Sequence, residues 1–127
     1  MTRFLWICAG GAVGTGVRYL VSIWAPRFLG PGFPYGTLAV NVAGSFLLGA
    51  IMHLGLATQA ISPTLRLVLG TGVMGGFTTY STFNYETMQY FQDGAWAMGA
   101  LNIAATLALC LVAGVLGLAG ARWLAGS

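Results

Sequence analysis

From Gly72 to Glu86 the chain reads Gly-Val-Met-Gly-Gly-Phe-Thr-Thr-Tyr-Ser-Thr-Phe-Asn-Tyr-Glu. This run combines a glycine pair, the hydroxyls of Thr78, Thr79, Ser81 and Thr82, an asparagine and one of the chain's two acids. Neutral donors of this kind can replace the water around a small ion without trapping it on a full opposite charge. Tyr80 and Phe83 stand three apart, close enough to share one side of a helix. Their rings either pack on neighbours or turn electropositive edges toward an anion. If the backbone unwinds at Gly75-Gly76, the carbonyls from Gly75 to Thr78 lose their i+4 donors. Carbonyls freed in that way hold sodium in known transporter architectures. Two copies meeting on a two-fold axis there would form a cage of carbonyl oxygens, and a cation inside it would be structural.

The surroundings of this run are apolar. The 127 residues are 57% hydrophobic and 6% charged, whereas a soluble domain is about a quarter charged. Crossing the hydrocarbon takes about 20 residues per helix, so the length allows four crossings and no soluble enzyme domain. We place them at about 4–24, 36–57, 63–91 and 95–123, as one all-α transmembrane domain over 1–127 whose third helix is broken. A hydroxyl run and adjacent glycines inside lipid need a reason, because freed backbone groups find no water there. The amino-terminal Met-Thr-Arg could pass for a secretion signal, but apolar sequence continues to Trp24 without an A-x-A-like site, so it reads as the first crossing.

The other helices carry smaller polar sets. In the first, Gly10 and Gly14 make a face that another backbone can approach closely. Arg18 falls in its last turns, where two roles are open: snorkelling to the interface, or facing a water-filled vestibule that attracts anions. The stretch Pro26 to Pro34 holds three prolines and two glycines and reads as a turn. In the second helix Thr37, Asn41 and Ser45 stack on one face. Asn41 either bonds a neighbouring helix or belongs to the polar break, and His53 reads as structural. Ser62-Pro63 is an N-cap followed by a proline at the first helical position. In the fourth helix Asn102, Thr106 and Cys110 repeat the spacing of four as a weakly polar stripe.

The net charge of +3 comes from five arginines, too few to imply nucleic acid as a partner. With four crossings, Arg3, Arg66 and Arg122 share one side and Arg27, with Arg18, the other. So small a bias permits insertion both ways up and suggests a pair of oppositely inserted copies. No histidine and cysteine cluster, catalytic triad, P-loop or dinucleotide fingerprint occurs, so the chain does not read as an enzyme. The alternative is a small proton-coupled drug or metabolite exporter of the four-helix dual-topology type, but the first helix lacks the acid that such a pump would use.

Gly-Thr-Leu-Ala-Val-Asn-Val-Ala-Gly-Ser from 36 to 45, together with Gly72 to Glu86, resembles the fluoride channels of the Fluc (CrcB) family, and the likeness covers essentially the whole chain. It implies a multi-pass protein of a prokaryotic plasma (inner) membrane, passing fluoride down its gradient through two antiparallel pores of a dual-topology homodimer with one central, untransported Na+. Carried over by position, Gly75 and Thr78 resemble the sodium-binding carbonyls and Asn41, with Thr37 nearby, the pore asparagine. Phe83 matches the second pore phenylalanine, Thr79, Ser81 and Thr82 the hydroxyls around the break, and Arg18 the vestibule arginine. Tyr80 replaces the usual first phenylalanine, and Asn102, Thr106 and Cys110 stand where the family often has tyrosine and serines.

Overall fold

A computed structural model describes residues 1–126, and all regular structure among them is helical. Three helices are long and apolar enough to cross a membrane: α1 (Thr2–Leu29), α2 (Tyr35–Leu56) and α6 (Trp96–Ala125). Between α2 and α6 the chain is helical in pieces: α3 (Pro63–Leu67), a wide π-helical stretch (Val68–Met74), α4 (Gly75–Phe77) and α5 (Tyr80–Gln92).

The packing is the inverse of a soluble core. Large apolar side chains such as Trp6, Leu111 and Leu124 are exposed, while Asn41, Thr87, Asn102 and Thr106 are buried. Water would punish that arrangement at both surfaces, whereas lipid tails solvate the outside and the polar groups find partners within. The helices meet through glycine. A Cβ at Gly117 would fall on the Phe46 carbonyl oxygen, so α6 lies backbone to backbone on α2. Gly10 and Gly14 on α1 do the same against the π-helical stretch: a Cβ at Gly10 would stand 2.8 Å from the Val68 oxygen, and one at Gly14 would fall on the Val73 oxygen. The expected small-residue face of the first helix is therefore a contact surface.

Two expectations change. The first helix does not end near Trp24 but runs through Pro26 to Leu29, so the proline-rich turn begins only at Gly30. Pro26 removes one helical donor, yet the Gly30 N–H still closes on its carbonyl, and Gly30 takes a positive φ of 87° to leave the helix. The break in the third helix is not at Gly75-Gly76 either. Those residues are helical, and the interruption falls at Thr78 and Thr79, with ψ of 160° and 116°. Ser62 caps α3 as read, its hydroxyl accepting from the Leu65 N–H at 3.1 Å, with Pro63 following.

Candidate functional site

The break is an account of which backbone groups lose helical partners and what replaces them. Thr78 closes the first half of the interrupted helix: its N–H and its hydroxyl both donate to the Met74 carbonyl, each at 3.0 Å. Thr79 opens the second half as N-cap, its hydroxyl accepting from the Thr82 N–H at 3.2 Å and donating to Thr82 Oγ1 at 3.0 Å. Ser81 completes this hydroxyl cluster at 3.4 Å from Thr79 Oγ1.

Asn41 holds the gap between the halves. Its Oδ1 accepts from the Thr79 N–H at 2.8 Å, and its Nδ2 donates to the Thr79 carbonyl at 3.0 Å. A side-chain amide here stands in for a neighbouring peptide, satisfying both backbone groups of one residue. In a continuous helix the Thr79 N–H would bond Gly75 and the Thr82 N–H would bond Thr78. Because Asn41 and the Thr79 hydroxyl take those donors, the carbonyls of Gly75 and Thr78 are left without them. Arg18 Nε donates to the Gly76 carbonyl at 3.0 Å. Of the carbonyls expected to be freed, Gly76 is thus occupied.

A groove of about 410 Å³ runs along this region, and Asn41, Ser45, Gly75, Thr78, Thr79, Tyr80, Phe83, Thr106 and Cys110 are among its lining residues. The rings of Tyr80 and Phe83 meet edge to face, centroids 5.8 Å apart. Phe83 is buried, whereas Tyr80 is 76% exposed beside the groove. Gly44 is required here, since a Cβ would overlap the Thr78 methyl.

Residues 5–118 match the family described as CrcB-like protein, Camphor Resistance (CrcB). The chain belongs to this family. It is 59% identical over 122 residues to a protein of Sorangium cellulosum (strain So ce56) named fluoride-specific ion channel FluC, with 96% of each chain covered. Proteins of the same name from Anaeromyxobacter sp. (strain K) and Geobacter sulfurreducens are 55% and 48% identical, covering 99% and 98% of this chain and all of theirs. The family is one of ion channels, and the chain is not an enzyme.

In this CrcB-family chain the groove does not gather every residue singled out from sequence. Thr37 lies apart, beside Glu86 in a second pocket of about 390 Å³ that Asp93 also lines. Asn102 is 2% exposed and closed off between helices, its Nδ2 donating to Thr87 Oγ1 at 2.9 Å while that hydroxyl donates to the Phe83 carbonyl at 2.8 Å. It reaches Phe83 through Thr87 without lining the groove itself. Of the stripe on α6, Thr106 and Cys110 line it. Arg18 is about three turns, ~16 Å, short of the end of α1 at Leu29.

Sequence reading missed three participants. Thr87 is one: a threonine on the second half of the broken helix is indistinguishable there from a packing residue. The π-helical stretch is another, with no composition signal beyond Gly70 and Gly72. Glu86 is the third. It was counted as an acid, but its neighbour Thr37 and the pocket they share come from packing α5 on α2.

Proposed function

We propose that the chain is a fluoride-selective passive channel, made of four crossings of which the third is the interrupted run from Pro63 to Gln92. The observation that carries this reading is the groove. An interrupted backbone, an amide, hydroxyls and an aromatic edge converge in it, and none of these lining groups is charged. Relatives at 48% to 59% identity bear the name fluoride-specific ion channel. Fluoride would exchange water for hydroxyl and ring-edge donors, with Asn41 and the Thr79, Ser81 and Thr82 cluster holding the break in shape. Larger halides would be excluded by the width of a path built for the smallest.

The assembled form is an antiparallel, dual-topology homodimer with two pores. Tyr80, 76% exposed beside the groove at the interrupted helix, supports this, because a second copy would cover the ring and supply a wall. The carbonyls of Gly75 and Thr78 fit a structural Na+ on the two-fold axis: both lost their helical donors to capping side chains, and sodium takes hard oxygen ligands. Bound there, the ion offsets converging carbonyl dipoles, and it is not transported.

Purified protein in liposomes is expected to release fluoride, read by a fluoride electrode, and to retain chloride. Equal chloride flux would overturn the reading, and transport that saturates and follows a proton gradient would indicate an exporter. If the sodium assignment holds, replacing Na+ by N-methylglucamine throughout should lower the thermal midpoint of the detergent-solubilised dimer and restoring Na+ should return it. An unchanged midpoint would remove the ion from the account.

A further inference from the structure

Both acidic side chains of the chain, Glu86 and Asp93, lie at one end of the helical bundle, in the pocket where α5 closes on the start of α2. The opposite end gathers the start of α1, the end of α2, the start of α3 and the end of α6, and with them Arg3, Arg66 and Arg122. It carries no acidic side chain. Arg3 is exposed there, its Nη2 donating to Thr64 Oγ1 at 3.3 Å.

Arg66 is set differently. It is half-buried one turn beyond the Ser62 cap, and its Nη1 donates to the Gly55 carbonyl near the end of α2 at 3.2 Å. Gly55 makes the room for it: a Cβ there would stand 2.7 Å from Arg66 Cδ and 2.8 Å from Cγ. A guanidinium has donors to spare after one such bond, and among the described residues this carbonyl is its only hydrogen-bond partner.

Beside Arg66 a cleft of about 240 Å³ opens between α2 and the first half of the interrupted helix, lined also by Leu48, Met52, Leu67, Gly70 and Thr71. Gly70 keeps it open, since a Cβ there would already stand 3.4 Å from Leu48 Cδ1 and 3.8 Å from Met52 Sδ. From Arg66 to Gly70 the cleft descends about one turn, ~6 Å, from the membrane surface. An arginine at the mouth of an apolar cleft matches the two parts of a phospholipid: the phosphate accepts from the guanidinium, and the first methylenes of an acyl chain follow the apolar wall. The charge of this end then selects the headgroup. A choline or ethanolamine ammonium finds three arginines here and no carboxylate, whereas a headgroup of net negative charge is attracted.

We propose that Arg66 and the cleft below it bind an anionic phospholipid, one per chain. The site adjoins the groove at the break through Leu48 and Gly70, which line both, but it does not depend on what that groove conducts.

The test titrates the full-length protein in detergent with phosphatidylglycerol or phosphatidylcholine. Native mass spectrometry counts the lipids retained per chain, and the thermal midpoint reports stabilisation. The wild type is expected to retain one phosphatidylglycerol per chain at about fivefold or more lower concentration than phosphatidylcholine. Arg66→Gln should lose that preference and Arg66→Lys keep it. Met52→Trp, which fills the cleft under an intact arginine, should lose the retained lipid. Arg3→Gln, at the same end but outside the cleft, should behave as wild type. Equal retention of the two lipids by the wild type would overturn the proposal. So would an Arg3→Gln variant as poor as Arg66→Gln, which would assign the effect to diffuse surface charge, and so would equal stabilisation by inorganic phosphate, which would leave the cleft no part. Dissociation of the assembled species by Arg66→Gln in lipid-free detergent would give the cleft to a second copy and refute the lipid. If Arg66→Gln does not fold, the wild type, Met52→Trp and Arg3→Gln decide by the same criteria.

Discussion

Asn41→Leu is expected to lower fluoride flux by about a hundredfold or more, the largest effect of any single side chain in the groove. Leucine fills similar space but offers neither acceptor nor donor, so the Thr79 N–H and carbonyl lose the bonds they now make at 2.8 Å and 3.0 Å. Each unsatisfied backbone group in a low-dielectric setting costs about 1–3 kcal/mol. The chain can avoid that cost by returning the Thr79 N–H to the Gly75 carbonyl, which heals the helix and removes the gap on which the groove is built. Ser45→Ala is the matched comparison. Ser45 lies one turn along the same face and lines the same groove, but the hydrogen bonds to Thr79 come from Asn41 alone, so this change removes a groove hydroxyl and leaves the break intact, and its flux should fall by less than about tenfold. Liposome assays of both variants decide the matter: near-wild-type flux in Asn41→Leu would show that the break needs no clamp.

The sequence located this site because polarity inside an apolar chain has few explanations. The hydroxyl run, the asparagine on the second helix and the small-residue face of the first were all readable, since each depends on spacing along one helix. What escaped depends on contacts between helices. Gly75-Gly76 looked like the point of unwinding because glycine is a poor helix former in water. In the fold Gly76 serves packing, removing the Cβ that would strike Gly11 and Thr15, and the helix continues until Thr78 takes the Met74 carbonyl twice. Proline at 26 looked like an end for a similar reason. Within α1 it removes one hydrogen bond without ending the helix, and the added turn puts Arg18 about three turns from the helix end. No local pattern could show that Arg18 reaches Gly76, 58 positions away, or that Asn102 turns to Thr87.

The same distinction sets the expectation for the glycines of α1, where two nearby positions of identical type should respond in opposite ways. Gly14→Ala places a methyl group on the Val73 carbonyl oxygen, 2.8 Å from the Phe77 nitrogen and 3.0 Å from the Val73 carbonyl carbon. All three atoms are backbone, so no rotamer change relieves the clash. α1 must move away from the π-helical stretch, at a cost of about 1–3 kcal/mol or more. That separation also draws Arg18 from Gly76, one turn further along the same contact, so packing and electrostatics fail together. Gly16→Ala meets nothing within 4 Å and gains helix propensity, worth up to about 1 kcal/mol in water. Thermal unfolding of the solubilised assembly should therefore show Gly14→Ala well below wild type, with flux lost, and Gly16→Ala at or slightly above it, with flux kept. Were Gly14→Ala to melt and conduct like the wild type, α1 could part from the broken helix at no cost, and the close backbone contact would not be what holds the break in place.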